Sequence, residues 1–184
     1  MIEADTLPTA DQAPPRSPID DWVPGTVPPA DLDPLADGIL PIAFGEATKT
    51  VQWAMGAQKE YVFTIRWGIS TESQDAEGEV TATSDARPTR EQVEALLKGY
   101  IGTIEQVPPK FSAIKVDGQR AYDLAREGEE FELTSREVDV FNADIIGMPD
   151  ADHTVIHVTS GKGFYVRAMA RDLAFDLDCE GHIS

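Results

Sequence analysis

The segment Glu60-Tyr61-Val62-Phe63-Thr64-Ile65-Arg66-Trp67 is the strongest indication of the fold class of this chain. It is rich in aromatic and β-branched residues, and apolar and polar positions partly alternate, which predicts a β-strand. Similar patterns predict strands at Val80–Thr83, at Ser112–Val116 ahead of the tight turn Asp117-Gly118, at Glu137–Ile146 and at Thr154–Thr159. The chain is therefore expected to contain a β-sheet.

Helical signals lie between and after these strands. Thr89 to Gln92 offer a capping box, and the apolar residues that follow recur at the spacing of an amphipathic helix. A short helix is predicted over Gln119–Glu127, which Gly128 would end because glycine accepts the left-handed conformation at a helix C-terminus. A further helix is predicted over Phe164–Leu177. Strands and helices alternate irregularly, so we expect an α+β fold with a mixed, mainly antiparallel sheet flanked by helices.

The first 30 residues differ from the rest of the chain. Seven prolines fall there among aspartate, threonine and alanine, with little apolar periodicity. Such a segment cannot bury enough surface to offset its ordering entropy, so residues 1–30 are predicted to be a disordered tail. Residues 31–184 are long enough for one domain with a core, and 41% of the whole chain is hydrophobic.

Cysteine usage and apolar runs restrict the protein class. Cys179 is the only cysteine, so no disulfide framework is possible. No secretory signal and no apolar run long enough to span a membrane are found, and we therefore expect a cytoplasmic protein without a membrane partner. Cys179 and His182 have the spacing of two metal ligands, but zinc needs about four, so no metal site is predicted.

The net charge of −18 argues at first against a nucleic-acid partner. Residues 1–37, however, hold eight acidic residues and one basic residue and account for −7 of it. The remaining chain still contains clustered cations, which are Lys110, Lys115, Arg120, Arg126, Lys162, Arg167 and Arg171. A basic stripe on an acidic body is therefore compatible with this sequence.

Four segments carry the residues with chemical potential: Leu32–Pro41, Lys59–Tyr61, Val107–Lys115 and Gly163–Arg167. Together they supply a carboxylate, two aromatic platforms and a guanidinium. Such a set could hold a flat base and attack the sugar or the ring attached to it. The combination indicates a cofactor-free enzyme that acts on RNA.

Taken singly, each of these residues has a plainer interpretation. Asp33-Pro34 could be turn chemistry, and Tyr61 could be a core residue of its strand. Arg167 could be a solvated helix residue or an ion-pair partner of Asp172 or Glu180. The residues alone leave these alternatives open.

The segments taken together are similar to the bacterial TruB family, the tRNA pseudouridine-55 synthases. The resemblance extends from about Asp31 to the end of the chain. Beyond the four segments above, the third of which it extends to Gln106–Lys115, it includes Gly45–Lys49, Asp75–Gly78, Gly118–Gly128 and Gly161–Leu173.

The resemblance implies the isomerisation of uridine to pseudouridine in the T-arm of tRNA, without metal or organic cofactor. Separately, we expect the protein to be a monomer. The resemblance makes Asp33 the catalytic carboxylate and Arg167 its partner. Tyr61 would stack on the target base, and Tyr165 would line the pocket. The target lies in a folded loop and must be flipped out, which is when stacking partners matter most.

The sequence also departs from the family pattern at both ends. Family members read Gly-His-x-Gly-Thr before Leu-Asp-Pro, whereas this chain has Val27-Pro28-Pro29-Ala30-Asp31. A preceding Lys-Pro-x-Gly-x-Ser segment and a C-terminal RNA-binding domain are also expected to be missing. Two alternatives to an active synthase follow. One is a catalytically impaired remnant that binds tRNA or helps RNA to fold, and the other is an acidic protein-interaction module.

Overall fold

The computed structural model of the protein describes residues 37–39, 42–54, 56, 58–116 and 118–184. Asp33 and the whole of the proline-rich tail lie outside the described residues. The chain divides into two units, residues 1–51 and 52–184. In the first unit the described residues include a 3₁₀ helix, Gly45–Thr50, and helix α1, Val51–Ala54, follows it in sequence.

The second unit contains the sheet and three further α-helices in its described residues. The strands are β1 Lys59–Trp67, β2 Ile69–Thr71, β3 Val80–Thr83, β4 Gly102–Gln106, β5 Lys115–Val116, β6 Gln119–Arg120, β7 Arg136–Gly147, β8 His153–Ser160 and β9 Gly181–Ile183. The helices are α2 Arg90–Leu97, with a 3₁₀ turn at Lys98–Tyr100, then α3 Ala121–Arg126 and α4 Val166–Asp176. No helix among the described residues is long and apolar enough to cross a membrane.

Five of these strands form one antiparallel sheet in the order β4-β7-β8-β1-β9. On one side of β1, Tyr61 lies opposite Val158 of β8. On the other side, Ile65 lies opposite Ile183 of β9. Two smaller pairs, β2-β3 and β5-β6, complete the described strands. The predicted α+β class with a mainly antiparallel sheet is confirmed.

The core lies between one face of the sheet and helix α4. Phe63, Ile65 and Trp67 of β1 are buried, whereas Val62 on the opposite face is 64% exposed, as the period of two requires. Met169 and Leu173 of α4 are fully buried. This packing fixes the position of β1 relative to the start of α4.

Helix α2 begins as predicted at a capping box. The Thr89 hydroxyl accepts a hydrogen bond from the Gln92 backbone N–H at 3.3 Å, and the Gln92 side chain accepts one from the Thr89 N–H at 2.8 Å. The two N–H groups at the helix start are thereby satisfied. The sequence was sufficient here because every partner lies within one helical turn.

Two predicted elements are shorter than expected. Only Lys115–Val116 of the predicted strand Ser112–Val116 is extended, because the carbonyl of Ser112 accepts from the Tyr122 backbone N–H at 3.0 Å instead of joining a ladder. The predicted helix over Gln119–Glu127 starts only at Ala121, since the two residues before it form β6. Its predicted end is confirmed, and Gly128 has φ +72°.

Candidate active site

Arg167 lies in the first turn of α4 and is held by three hydrogen bonds. Its Nη1 donates to Asp75 Oδ2 at 3.0 Å and to the Ser73 carbonyl at 3.2 Å. Its Nη2 donates to the Phe111 carbonyl at 2.9 Å. Only 18% of the Arg167 side chain is exposed. The guanidinium is therefore fixed in place, with its charge compensated by one carboxylate.

Asp75 was not predicted from the sequence as a site residue. Its side chain is 7% exposed, and its Oδ1 accepts from the Glu77 backbone N–H at 3.0 Å and from the Ser73 hydroxyl. Both carboxylate oxygens are thus satisfied before any ligand arrives, as a buried charge requires. The ion pair with Arg167 joins the loop after β2 to the start of α4.

The loop that presents Asp75 is tight and partly strained. Gln74 has φ +65°, an uncommon backbone conformation for a residue other than glycine. A Cβ at Gly78 would lie 2.7 Å from the Ser73 backbone nitrogen, so only glycine fits there. The Gln74 carbonyl accepts from the Ile183 N–H at 3.1 Å, which ties the loop to β9. The position of Asp75 is therefore set by the backbone.

The sequence suggested Asp172 or Glu180 as an ion-pair partner of Arg167, and both suggestions are wrong. Asp172 pairs with Arg171 at 2.7 Å, and Glu180 accepts from the Ser70 hydroxyl. A helical residue contacts its neighbours three and four positions away, and Arg167 instead points to a loop 92 residues earlier. The expected pairing with Asp33 stays a prediction, because Asp33 lies outside the described residues.

Tyr61 lies on β1, half-buried on the core face of the sheet. Its ring centroid is 5.9 Å from that of Phe164, with the ring planes tilted by 39°. Burial raises the pKa of the Tyr61 hydroxyl, so the group stays protonated at neutral pH. The ring therefore offers a neutral aromatic surface, next to the residue that precedes Tyr165.

Tyr165 is the N-cap residue of α4, and its side chain is half-buried. Its backbone is extended, with φ −119° and ψ 116°, so the helix begins at Val166 and not at Phe164 as predicted. The chain order Phe164, Tyr165, Arg167 brings three site residues to the same end of one helix. Phe164, which contacts Tyr61, connects this group to β1.

Three of the predicted cations converge on one segment, residues 107–113. Arg171 Nη2 donates to the Val107 carbonyl at 2.8 Å, and Arg120 Nη1 donates to the Ala113 carbonyl at 3.1 Å. Arg167 reaches the Phe111 carbonyl between them. Lys110 lies within the same segment and is exposed. The structure thus groups cations beside the candidate site, which the sequence could not establish.

A cavity of about 330 Å³ lies away from these residues, between the start of β4 and the end of α4. Its lining includes the three carboxylates Glu105, Asp172 and Asp176. Such a lining repels phosphate, so the cavity does not suit a nucleic-acid ligand. We therefore place the candidate site at Tyr61, Tyr165 and Arg167 and not in this cavity.

No group of metal-binding side chains is found among the described residues. Cys179 is buried, and its Sγ lies 3.1 Å from the carbonyl oxygens of Ala86 and Glu180. His182 Nδ1 lies 2.7 Å from the Ile69 carbonyl oxygen. Both side chains are therefore engaged with backbone in this part of the chain.

Comparison with models of known protein families shows the family of this chain. The family model for the TruB family pseudouridylate synthase (N terminal domain) matches residues 30–166. The chain belongs to the TruB family. The resemblance inferred from the motifs is thereby confirmed.

Curated relatives within the TruB family are strongly similar over most of this chain. A protein of Caulobacter vibrioides named tRNA pseudouridine synthase B is 61% identical over 153 residues, which are 83% of this chain and 49% of the relative. A protein of the same name from Brucella melitensis is 60% identical over 153 residues, covering 83% of this chain and 47% of that protein. The chain therefore spans about half the length of the curated relatives it matches.

Solved structures share the fold of this TruB-family chain. A chain in the structure of a Cbf5-Nop10-Gar1 complex aligns with a TM-score of 0.58 at 23% identity, covering 83% of this chain and 36% of that one. A chain in an archaeal box H/ACA sRNP Nop10-Cbf5 complex gives 0.54 at 20% identity, covering 83% and 34%. The described part of the chain therefore shares the α+β fold of these structures.

Proposed function

We propose that residues 31–184 form the catalytic domain of a tRNA pseudouridine synthase that converts uridine 55 in the T-loop to pseudouridine. The observation that carries this proposal is the 61% identity over 153 residues with a protein named tRNA pseudouridine synthase B. The candidate site adds a fixed guanidinium and an aromatic surface at the start of one helix. These are suitable groups for binding a flat base next to an anion.

The reaction is an isomerisation whose atoms balance within the substrate. The N1–C1′ glycosidic bond breaks, the uracil turns, and a C5–C1′ bond forms while C5 loses a proton and N1 gains one. The step needs a nucleophile or an anionic partner for the sugar or the base, together with a pocket that retains the freed uracil. In this proposal Asp33 supplies the carboxylate, and no metal or organic cofactor takes part.

Arg167 would keep the Asp33 carboxylate ionised. A nearby guanidinium lowers a carboxyl pKa, which opposes the rise that burial against a base would cause. Within the described residues, Arg167 uses three of its five N–H groups, on Asp75, Ser73 and Phe111. The remaining donors could serve a second anion without breaking the pair with Asp75. In this proposal one arginine would serve both carboxylates.

Tyr61 and Tyr165 would hold the flipped base. Stacking on an aromatic side chain is worth about 1–3 kcal/mol per base, which helps to offset the cost of unstacking the target from its loop. Tyr61 is supported from behind by Phe164 at 5.9 Å between ring centroids. Its ring would therefore stay in place when the base enters and when the freed uracil turns.

The cations around residues 107–113 would contact the tRNA backbone. Lys110 and Lys115 are exposed in the described structure, while Arg171 and Arg120 are anchored by backbone carbonyls close to them. Phosphate contacts of this kind position the nucleic acid without reading its sequence. Such local contacts would allow the protein to bind an RNA substrate although its net charge is −18.

The proposal is tested by tritium release from tRNA labelled at uridine C5, using the 184-residue chain. We expect the wild type to release tritium and Asp33→Asn to be slower by about 10³-fold or more. Asp37→Asn is the matched control, since Asp37 is an exposed carboxylate four residues away, and its release should equal that of the wild type. Circular dichroism should show the same fold for all three proteins.

The alternatives give different results in the same assay. A folded wild type that binds tRNA and releases no tritium would be an impaired remnant. A folded wild type without salt-dependent tRNA binding would be the acidic interaction module. Release by Asp33→Asn at the rate of the wild type would refute the catalytic role of Asp33 alone.

A further inference from the structure

A buried glutamine joins the sheet to the start of α4. Gln106 is the last residue of β4, and 2% of it is exposed. Its Oε1 accepts a hydrogen bond from the Tyr165 backbone N–H at 2.8 Å, and its Nε2 donates to the Tyr165 carbonyl at 3.1 Å. One carboxamide thus binds both peptide groups of a single residue, as a neighbouring strand would.

This contact fixes the backbone of the N-cap residue of α4. The N-cap residue Tyr165 makes no side-chain capping hydrogen bond, and its backbone is extended. Its carbonyl also accepts the first helical hydrogen bond of α4, from Met169 N–H at 3.1 Å. Because Gln106 fixes the peptide groups on either side of the Tyr165 Cα, it sets the direction in which the Tyr165 side chain leaves the backbone.

Two further residues of the candidate site lie close to Tyr165 in sequence. Phe164 precedes it and packs against Tyr61, and Arg167 follows two residues later. The Phe111 carbonyl that binds Arg167 lies five residues after Gln106 in the same segment, and the Val107 carbonyl between them binds Arg171. The end of β4 and the segment after it therefore contact α4 at successive points. The bonds of Gln106 with Tyr165 are the first of these contacts in sequence.

We propose that Gln106 is a positioning residue for the reaction, because its carboxamide fixes the Tyr165 backbone and so orients Tyr165 and Arg167 toward the base beside Tyr61. The proposal rests on the proposed function. It assigns a role to a side chain that does not reach the substrate, since Gln106 is buried and both ends of its carboxamide are already bonded.

The chemistry of the contact requires an amide. Methionine has a similar length and no hydrogen-bonding amide, so Gln106→Met leaves the N–H and the carbonyl of Tyr165 without these partners. Gln106→Glu keeps the acceptor for the Tyr165 N–H, but an ionised carboxylate has no proton to donate to the Tyr165 carbonyl. Gln106→Met therefore removes both hydrogen bonds and Gln106→Glu removes one, while both variants preserve the size of the side chain.

The first measurement is amide hydrogen exchange by NMR on the 184-residue chain. In Gln106→Met the Tyr165 amide should exchange at least about tenfold faster, whereas the amide of Trp67 in β1 should be unchanged. Unchanged protection of Tyr165 would overturn the contact itself, whether or not the protein is an enzyme. If Gln106→Met does not fold, Gln106→Leu, which also lacks an acceptor for the Tyr165 N–H, is measured instead, with the same expectation for Tyr165.

The second measurement separates turnover from binding by tritium release. In Gln106→Met the displacement of Tyr165 and Arg167 should lower kcat by about 10- to 100-fold. KM should stay within about twofold of the wild-type value, because Gln106 does not touch the tRNA. Thr154→Val is the matched control, since it removes a buried hydrogen bond with Trp67 in which no residue of α4 takes part, and it should leave kcat unchanged.

The outcomes of this measurement are distinct. A wild-type kcat in Gln106→Met, with faster Tyr165 exchange, would overturn the positioning role. An equal loss of kcat in Thr154→Val would also overturn it, because the loss would then follow general destabilisation. No turnover by the wild type would overturn the proposed function and this role with it, while the exchange result would still decide the contact.

Discussion

Asp75 and Arg167 are separated by 92 residues in sequence, and their side chains form a buried ion pair with 3.0 Å between Oδ2 and Nη1. Asp75 lies in a loop after β2, and Arg167 lies on the last helix of the described chain. Asp75 Oδ1 also accepts from the Glu77 backbone N–H, and Nη1 and Nη2 of Arg167 also donate to the carbonyls of Ser73 and Phe111. The pair therefore connects two distant segments at the candidate site.

Breaking this pair should destabilise the protein in a non-additive way. We expect Asp75→Asn and Arg167→Met each to lower the free energy of unfolding by about 3 kcal/mol, because each leaves a buried charge without its partner. The double variant should lose less than the sum, with a coupling energy of about 1–3 kcal/mol. Urea unfolding of the four proteins measures this cycle.

Arg90 and Glu94, on helix α2, provide the control cycle. Their side chains are 48% and 46% exposed, so the coupling between Arg90→Met and Glu94→Gln should not exceed about 1 kcal/mol. Equal coupling energies in the two cycles would show that burial of the Asp75–Arg167 pair has no energetic consequence. Strict additivity for Asp75 and Arg167 would contradict the ion pair itself.

Replacing Tyr61 should affect turnover more than tRNA binding. Tyr61→Ala removes the ring that stacks on the base in the proposed function, and kcat should fall by about 10- to 100-fold, in proportion to a stacking energy of about 1–3 kcal/mol. Tyr61→Phe keeps the ring and its contact with Phe164, so most of the turnover should remain. Tritium release gives kcat, and filter binding gives the Kd for tRNA.

Val62→Ala is the matched control for Tyr61. Val62 is the next residue of β1, on the opposite face of the sheet and 64% exposed, so its truncation should change neither kcat nor Kd. If Tyr61→Ala instead weakened turnover, tRNA binding and thermal stability to the same extent, Tyr61 would be a core residue without a direct role.

Asp172 should make the stability of the protein depend on pH. Burial raises the pKa of this carboxyl above its ordinary value of 3.8, although the neighbouring Arg171 acts in the opposite direction. For a carboxyl whose pKa is raised by folding, stability is highest below the unfolded-state pKa and is lost as the pH rises through the folded-state pKa. Asp172→Asn removes this loss, so its Tm should exceed that of the wild type at pH 7 and approach it at low pH.

The appropriate control for Asp172 is Glu129→Gln, which removes one negative charge at an exposed position. Any gain from lowering the net negative charge of the protein should appear in both variants. The additional gain in Asp172→Asn, measured by Tm between pH 3 and pH 8, is the part that burial causes. A gain of equal size and pH dependence in both variants would refute the role of burial.

The hydrogen bond between Trp67 and Thr154 should stabilise the core. Trp67 Nε1 donates to Thr154 Oγ1 at 2.8 Å, and both residues are fully buried. Thr154→Val leaves the indole N–H without an acceptor and should cost about 1–3 kcal/mol in urea unfolding. Thr159→Val, on the opposite face of the same strand, should cost clearly less, and equal losses would mean that the hydrogen bond is not the cause.

The sequence predicted the elements whose signals are local. Strand β1 follows from the alternation in Glu60–Trp67, and α2 follows from a capping box in which all partners lie within one turn. Strands β2, β4 and β9 were not predicted, since they have at most five residues and their extended form depends on pairing with distant strands. Short strands of this kind have little pattern of their own.

The fold class, the family and the candidate residues Tyr61, Tyr165 and Arg167 follow from the amino-acid sequence alone, because alternation, capping and motifs are properties of neighbouring positions. The contacts that hold these residues in place are visible only in the folded protein. The pairs Asp75–Arg167 and Gln106–Tyr165 join positions 92 and 59 residues apart. Such contacts form only after the sheet and α4 have packed together, because loop closure must first be offset by the burial of the core.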